Sequence, residues 1–180
     1  MMTHVDVSEN RNAQKYGFTI QLRRVMWALV SPIFWWSPRP LWGWRVFLLR
    51  AFGAQIGRGV HIYPSVRITM PWRLRIDDQA AVGAHAILYA LGEIHIGARA
   101  TVSQYAHLCA GSHDWRQPHR PLITPEIWIG DDAWVCADAF VGPGVRIGAR
   151  AILGARAVAM KDLPKGHMGV GNPVQIRLMK

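Results

Sequence analysis

His113 and Asp114 stand together where a fifteen-residue stretch, Asp114 to Trp128, begins, and that stretch holds Trp115, Arg116, His119 and three prolines. Imidazole is the side chain whose ordinary pKa lies nearest neutrality. Held at the rim of a cleft beside a carboxylate, it suits general-base duty, taking a proton from a hydroxyl as that oxygen attacks an electrophile. A His-Asp pair at the start of a loop serves equally well as a turn or capping interaction, so the pair alone leaves both readings open.

The elements around this stretch are set by a period of six. Ile129, Val135, Val141, Ile147, Leu153 and Ala159 recur at every sixth position, with Gly130, Gly142, Gly148 and Gly154 directly after four of them. A small Ala133, Ala139, Ala151 or Ala157 precedes the next aliphatic residue by two. A helix would spread such positions around its circumference, and a strand period of two would not pin glycine to every sixth place. Hexapeptide repeats read instead as a parallel β-helix of triangular coils, three hexapeptides to a coil, with aliphatic residues inward and glycine or small residues at the tight corners.

The register extends upstream through Ile56, Ile62, Ile68, then Ile76, Val82, Leu88, then Ile96, Val102, Leu108, with slips of two residues expected at Leu74-Arg75 and Ile94-His95. Five coils result, over 56–73, 76–93, 96–113, 129–146 and 147–164. At about 4.8 Å per coil they form a prism roughly 24 Å long, interrupted by the loop 114–128. A loop spent inside a repeat scaffold is where function is expected.

Four segments follow: a flexible N-terminus over 1–16, a helical segment over 17–53, the β-helix over 54–164 and a C-terminal extension over 165–180. Leu22, Val25, Met26, Leu29 and Val30 fall on one stripe of a helix that Pro32 should end. Trp44, Phe47, Leu48, Ala51 and Phe52 repeat that spacing, and Gly53 is placed as a helix stop. The segment suits a cap that covers the open edge of the first coil. Its tryptophans, interleaved with Arg23, Arg24, Arg39, Arg45 and Arg50, suit an anionic membrane surface as well. The formal charge of +10 is dispersed singly along the chain with no recognised nucleic-acid reader motif, so phosphates of a cofactor or lipid-linked substrate are the expected anions and nucleic acid is not an expected partner. Two cysteines without a CxxC pattern, and a polar start containing Asp6 and Glu9, point to a reducing cytoplasmic setting without a signal peptide.

The stretches Pro38-Arg39-Pro40, Gly43-Trp44-Arg45, Gly59-Val60-His61-Ile62-Tyr63-Pro64-Ser65, Leu91-Gly92-Glu93-Ile94, Gly111-Ser112-His113-Asp114, Ala139-Phe140-Val141-Gly142-Pro143-Gly144-Val145 and Gly171-Asn172-Pro173 resemble the hexapeptide-repeat O-acetyltransferases, within them the colanic acid biosynthesis group. The resemblance implies an all-β, left-handed parallel β-helix, a hand that the right-handed crossover rule would not supply. It also implies a homotrimer, with acetyl-CoA as acyl donor lying between adjacent prisms and no metal required. His113 matches the family's catalytic histidine, next to Asp114, and would act by direct transfer to a sugar hydroxyl of a surface polysaccharide or exopolysaccharide intermediate. Trp134, Ala137, Ala155, Lys161 and Arg177 would line the cofactor groove, with a backbone N–H near Ala137 at the oxyanion. Trp115, Arg116 and His119 would meet the acceptor, free, nucleotide-linked or lipid-linked. Gln175 stands where related enzymes often have arginine, and Ala90 where Asn is expected. Cys136 reads as core filling.

Two readings of other classes stay open at this point. The same prism builds the gamma-type carbonic anhydrases, whose zinc is held by three histidines, and His85, His95, His107, His113 and His119 are in the relevant half, His95 and His113 eighteen residues apart. A non-enzymatic scaffold is the other.

Overall fold

The structure is a computed structural model that describes residues 7–179; residues 1–6 of the segment expected to be flexible lie outside it. Strands of two or three residues expose one residue and bury the next, as in Gln55–Ile56, His61–Ile62 and Arg67–Ile68. Parallel pairing sets Ile56 opposite Ile76, Ile76 opposite Ile96, Ile96 opposite Ile129 and Ile129 opposite Ile147. The inward aliphatic ladder is therefore the one written in the period of six, and its members are buried throughout.

Three parallel faces result. The first holds Gln55–Ile56, Leu74–Ile76, Ile94–Ile96, Ile127–Ile129 and Arg146–Ile147. The second holds His61–Ile62, Ala81–Val82, Thr101–Val102, Trp134–Val135 and Ile152–Leu153; the third holds Arg67–Ile68, Ile87–Tyr89, His107–Cys109, Phe140–Val141 and Val158–Ala159. The stack does not stop at residue 164. Leu163 bridges to Ile147, His167–Val170 pairs in parallel with Ile152–Leu153, and Gln175–Leu178 returns antiparallel, so the chain beyond 164 builds a sixth, partial turn.

The slips differ from expectation. Leu74 and Ile94 are buried strand residues, and the extra length lies just before them, in the Pro71–Arg73 turn and in Ala90–Glu93. Both slips and the long loop thus fall on one edge of the prism, between the third and first faces. The corners differ as well. At the corner between the first and second faces the left-handed position belongs to Gln79, Arg99, Asp132 and Arg150, with φ of 57–60°, and to glycine only in the first coil, at Gly59, and after the fifth, at Gly166. The N–H group of each of the four non-glycine residues donates to the corner carbonyl of the preceding coil, which offsets the unfavourable dihedral. Glycine is needed where coils touch: a Cβ on Gly148 would lie 2.3 Å from Lys165 N, and one on Gly130 2.5 Å from Ala149 N.

Among the described residues three helices precede the prism: α1 (Val7–Asn12), α2 (Phe18–Trp35) and α3 (Trp42–Ala51). Pro32 does not end α2. Ala28 O, deprived of the N–H four residues on, accepts from Ser31 Oγ at 3.1 Å, and the helix runs to Trp35. Of the Leu22, Val25, Met26, Leu29 and Val30 stripe only Val30 packs against the prism core, since the other four side chains are 50–72% exposed. The buried face is Trp27, Ser31 and Phe34. The open first coil explains the choice, because it presents unpaired carbonyls on all three faces and needs donors. Arg50 Nη2 donates to Ile56 O at 2.6 Å, Arg45 Nε to Ile62 O at 2.6 Å and Trp27 Nε1 to Ile68 O at 2.8 Å, one for each face. Arg45 is fully buried, stacks over Trp42 at 4.8 Å, and donates also to Ser37 Oγ, Pro38 O and Arg39 O; its burial lowers the guanidinium pKa from the usual value.

Candidate active site

His113 belongs to a two-stranded antiparallel hairpin, Ser112–His113 against Leu122–Ile123, that projects from the irregular edge rather than closing the third coil. Its ring Nδ1 lies 2.7 Å from Arg120 O. A carbonyl only accepts, so Nδ1 has the proton and the neutral ring presents the Nε2 lone pair.

Asp114 does not orient that ring. Its carboxylate instead accepts from Arg116 N–H at 3.0 Å and Gln117 Nε2 at 3.2 Å, and these bonds, the backbone one foremost, hold its pKa below the usual carboxylate value. Asp114 caps the loop. The orienting group is Arg120 O, which is itself fixed from far away in sequence: Asn10 Nδ2 on α1 donates to Arg120 O, and to His119 O at 2.8 Å.

Between α1, the start of α2 and this loop lies a cavity of about 410 Å³, with Asn10, Tyr16, Arg73, Leu91, His119 and Leu122 on its walls. His119 therefore faces the cavity. Trp115 is 75% exposed at the loop tip with the Arg116 guanidinium 5.4 Å from its ring centre. Neither is on the cavity wall. Ala90, at the position where Asn was expected, is wholly buried and contributes nothing to it.

The five residues expected along the cofactor groove divide. Trp134 stands on the second face with Nε1 donating to Ser103 Oγ at 2.8 Å, and Arg177 on the strand appended to that face. Ala137 and Ala155 occupy the edge between the second and third faces in successive coils, and Arg156 N–H donates to Ala137 O across them at 3.0 Å. Lys161 follows the last strand of the third face and so lies on the other edge, the one that bears His113. One chain does not bring the two sets together, because the width of the third face separates them. Cys136 is part-buried, and burial pushes its thiol pKa up, away from nucleophilic use.

The remaining histidines are dispersed. His85 stacks on Tyr105 at a corner, His95 on the first face meets Asp77 Oδ2 at 2.6 Å, and His107 lies on the third face against Phe140. His95 pairs in register with Arg75 and, through its other neighbour, Trp128, so it does not stack on His113. Among the described residues no group of three His, Cys, Asp or Glu could hold a metal.

The residues that sequence reasoning did not single out are Asn10, Tyr16, Arg73 and Leu91. Asn10 is 109 residues from the carbonyl it holds, and no local pattern marks it.

A triangular prism with a loop inserted at one edge is the architecture that the resemblance to the hexapeptide-repeat acyltransferases implied. The chain is 47% identical over 153 residues to the colanic acid biosynthesis acetyltransferase WcaF of Escherichia coli K12, covering 85% of this chain and 84% of that one. It belongs to this acetyltransferase family. No family model matches the chain. A hexapeptide-repeat acetyltransferase of Vibrio cholerae, solved in complex with acetyl coenzyme A, superposes with a TM-score of 0.84 at 22% identity, covering 93% of this chain and 92% of that one. A galactoside acetyltransferase solved with coenzyme A gives 0.83 at 17% identity, covering 97% and 90%. The fold is thus the left-handed β-helix of these enzymes.

Proposed function

We propose that the protein transfers the acetyl group of acetyl-CoA to a sugar hydroxyl of a surface polysaccharide or exopolysaccharide intermediate, with His113 as general base and without an acyl-enzyme. The observation that supports this reading best is the bond from His113 Nδ1–H to Arg120 O, which leaves Nε2 as the basic atom. Nε2 takes the hydroxyl proton as the oxygen bonds to the thioester carbon. The tetrahedral oxyanion then collapses, the C–S bond breaks, and the imidazolium returns its proton to the CoA sulfur. The base contributes about 10²- to 10⁴-fold, and holding donor and acceptor together supplies much of the rest. A backbone N–H near Ala137 would meet the oxyanion.

The donor fits the two edges of the prism. Ala137 and Ala155 are small enough to admit a pantetheine arm along the backbone, Trp134 offers a ring beside them, and Lys161 and Arg177 are exposed cations suited to phosphate. Since Lys161 and His113 lie on a different edge from Ala137 and Ala155, a complete groove takes one edge from each of two copies. A homotrimer closes three such grooves. The acceptor is assigned to the cavity beside the loop, with Asp114 shaping the loop and His119 on the wall; Trp115 and Arg116 would meet the part of a longer saccharide that leaves it. The donor and the free Cys109 and Cys136 fit a cytoplasmic setting.

Intact-mass measurement after mixing the protein with acetyl-CoA in the absence of acceptor tests the direct transfer. The mass should stay unchanged. A gain of one acetyl group that a sugar then removes would contradict it and transfer attention to a nucleophile.

A further inference from the structure

Phe18, Leu22, Val25, Met26, Leu29 and Ile33 of α2 are 50–81% exposed. At about 100° per residue they fall within an arc of about 100° on the helix surface. Trp27, Ser31 and Phe34, buried against the prism, lie on the opposite side of the same helix. An amphipathic helix usually has one apolar face and buries it. This one has two, and only one is covered by the chain. On α3, Trp44 and Phe47 stack on each other at 5.8 Å and are 40% and 60% exposed. Among the described residues, eleven of the twenty large apolar side chains that are more than a third exposed lie between Phe18 and Phe47, so the uncovered surface is concentrated on one end of the molecule.

The charge of that end is as uneven. From Asn10 to Ile76 the chain has eleven Lys and Arg and no Asp or Glu. A second copy of the chain laid on this surface would bring like charge against like, which disfavours association. A sheet of anionic headgroups over an acyl layer supplies both the negative charge and the apolar medium. No helix among the described residues is long and apolar enough to cross a membrane, so the contact is one of lying on the surface.

We propose that the α2–α3 face seats the protein on an anionic bilayer, with the outward arc of α2 and the Trp44–Phe47 pair sunk at the headgroup boundary. The binding is a property of the helical face and does not depend on which acyl transfer the enzyme performs.

Sedimentation with large unilamellar vesicles of phosphatidylcholine, with and without about 30% phosphatidylglycerol, reads the contact directly. The full-length protein should pellet with the anionic vesicles at low salt, and the bound fraction should fall about tenfold with neutral vesicles or at about 0.5 M salt. A Val25→Asn, Leu29→Gln double variant should lose about tenfold in partitioning while keeping the thermal midpoint of the wild type, since both side chains are outside the core. Quenching of tryptophan emission by brominated lipid in the wild type gives an answer that needs no variant. Wild-type protein left in the supernatant with anionic vesicles, or a folded double variant that partitions like the wild type, would overturn the proposal. So would a double variant that, without lipid, shrinks a larger assembly in sedimentation velocity, because the face would then be occupied by another copy.

Discussion

Arg120 O decides which nitrogen of His113 is basic, and Asn10 decides where Arg120 O is. Replacing Asn10 with Ala leaves the carbonyl and the ring in place chemically but frees the loop to wander. We therefore expect kcat/KM for acyl transfer to fall by about tenfold, with the thermal midpoint nearly unchanged, because an error in positioning costs rate before it costs stability. His107 offers a test of another kind. It is part-buried on the third face, its Nε2 has no partner, and burial lowers its pKa from the ordinary value. Its folded pKa lies below its unfolded one, so its contribution to stability is complete above the unfolded value of about 6.5 and is lost as pH falls through the folded pKa. His107→Phe should accordingly lose less of its thermal midpoint between neutral and mildly acidic pH than the wild type does; an equal loss would contradict this. That His113 stands at an interruption of the repeat could be read from the sequence, because the period of six breaks there. Its ring partner could not, since adjacency along the chain suggested Asp114, whereas the Asp114 carboxylate is taken up by Arg116 N–H and Gln117 Nε2 of its own loop.

The cap shows why a hydrophobic pattern found the helices and misjudged their faces. Spacing alone put Leu22, Val25, Met26, Leu29 and Val30 on one apolar stripe, of which only Val30 packs on the core, because an open coil requires hydrogen-bond donors more than it requires further hydrocarbon. Trp27, with an aromatic body and an N–H, meets both needs, packing on Phe34 and Phe52 while donating to Ile68 O. Arg45 is the sharper case, a buried cation whose fork is satisfied by carbonyls and a hydroxyl. Arg45→Met keeps the aliphatic stem and strips the donors, leaving those acceptors unpaired. We expect a loss of about 2–4 kcal/mol by denaturant unfolding. A loss under about 0.5 kcal/mol would mean that water reaches the first coil and that the cap is not sealing it. The prism itself was legible down to register, since every sixth residue must face inward whatever the corners do. The slips were misplaced by a few residues because their extra length hides in turns that the inward ladder does not see.

At the scale of the whole molecule, the proposed function makes one chain half of two sites. His113 and Lys161 lie on one edge of the prism, while Ala137 and Ala155 lie on another. Blocking one edge in one copy should therefore spare the other edge of that same copy. Ala155→Trp, which fills the donor edge, and His113→Ala, which removes the base, should each be inactive alone. Refolded together, they should recover activity to within about tenfold of the wild type, because some mixed assemblies contain an intact pair of edges. No recovery would mean that each chain holds a complete site. The measurement that bears most directly on the account is thiol release from acetyl-CoA by wild type and His113→Ala, across a panel of saccharide acceptors. The account predicts release that depends on the acceptor and falls by about a hundredfold or more in the variant. Equal release by both proteins would take His113 out of the mechanism and contradict it.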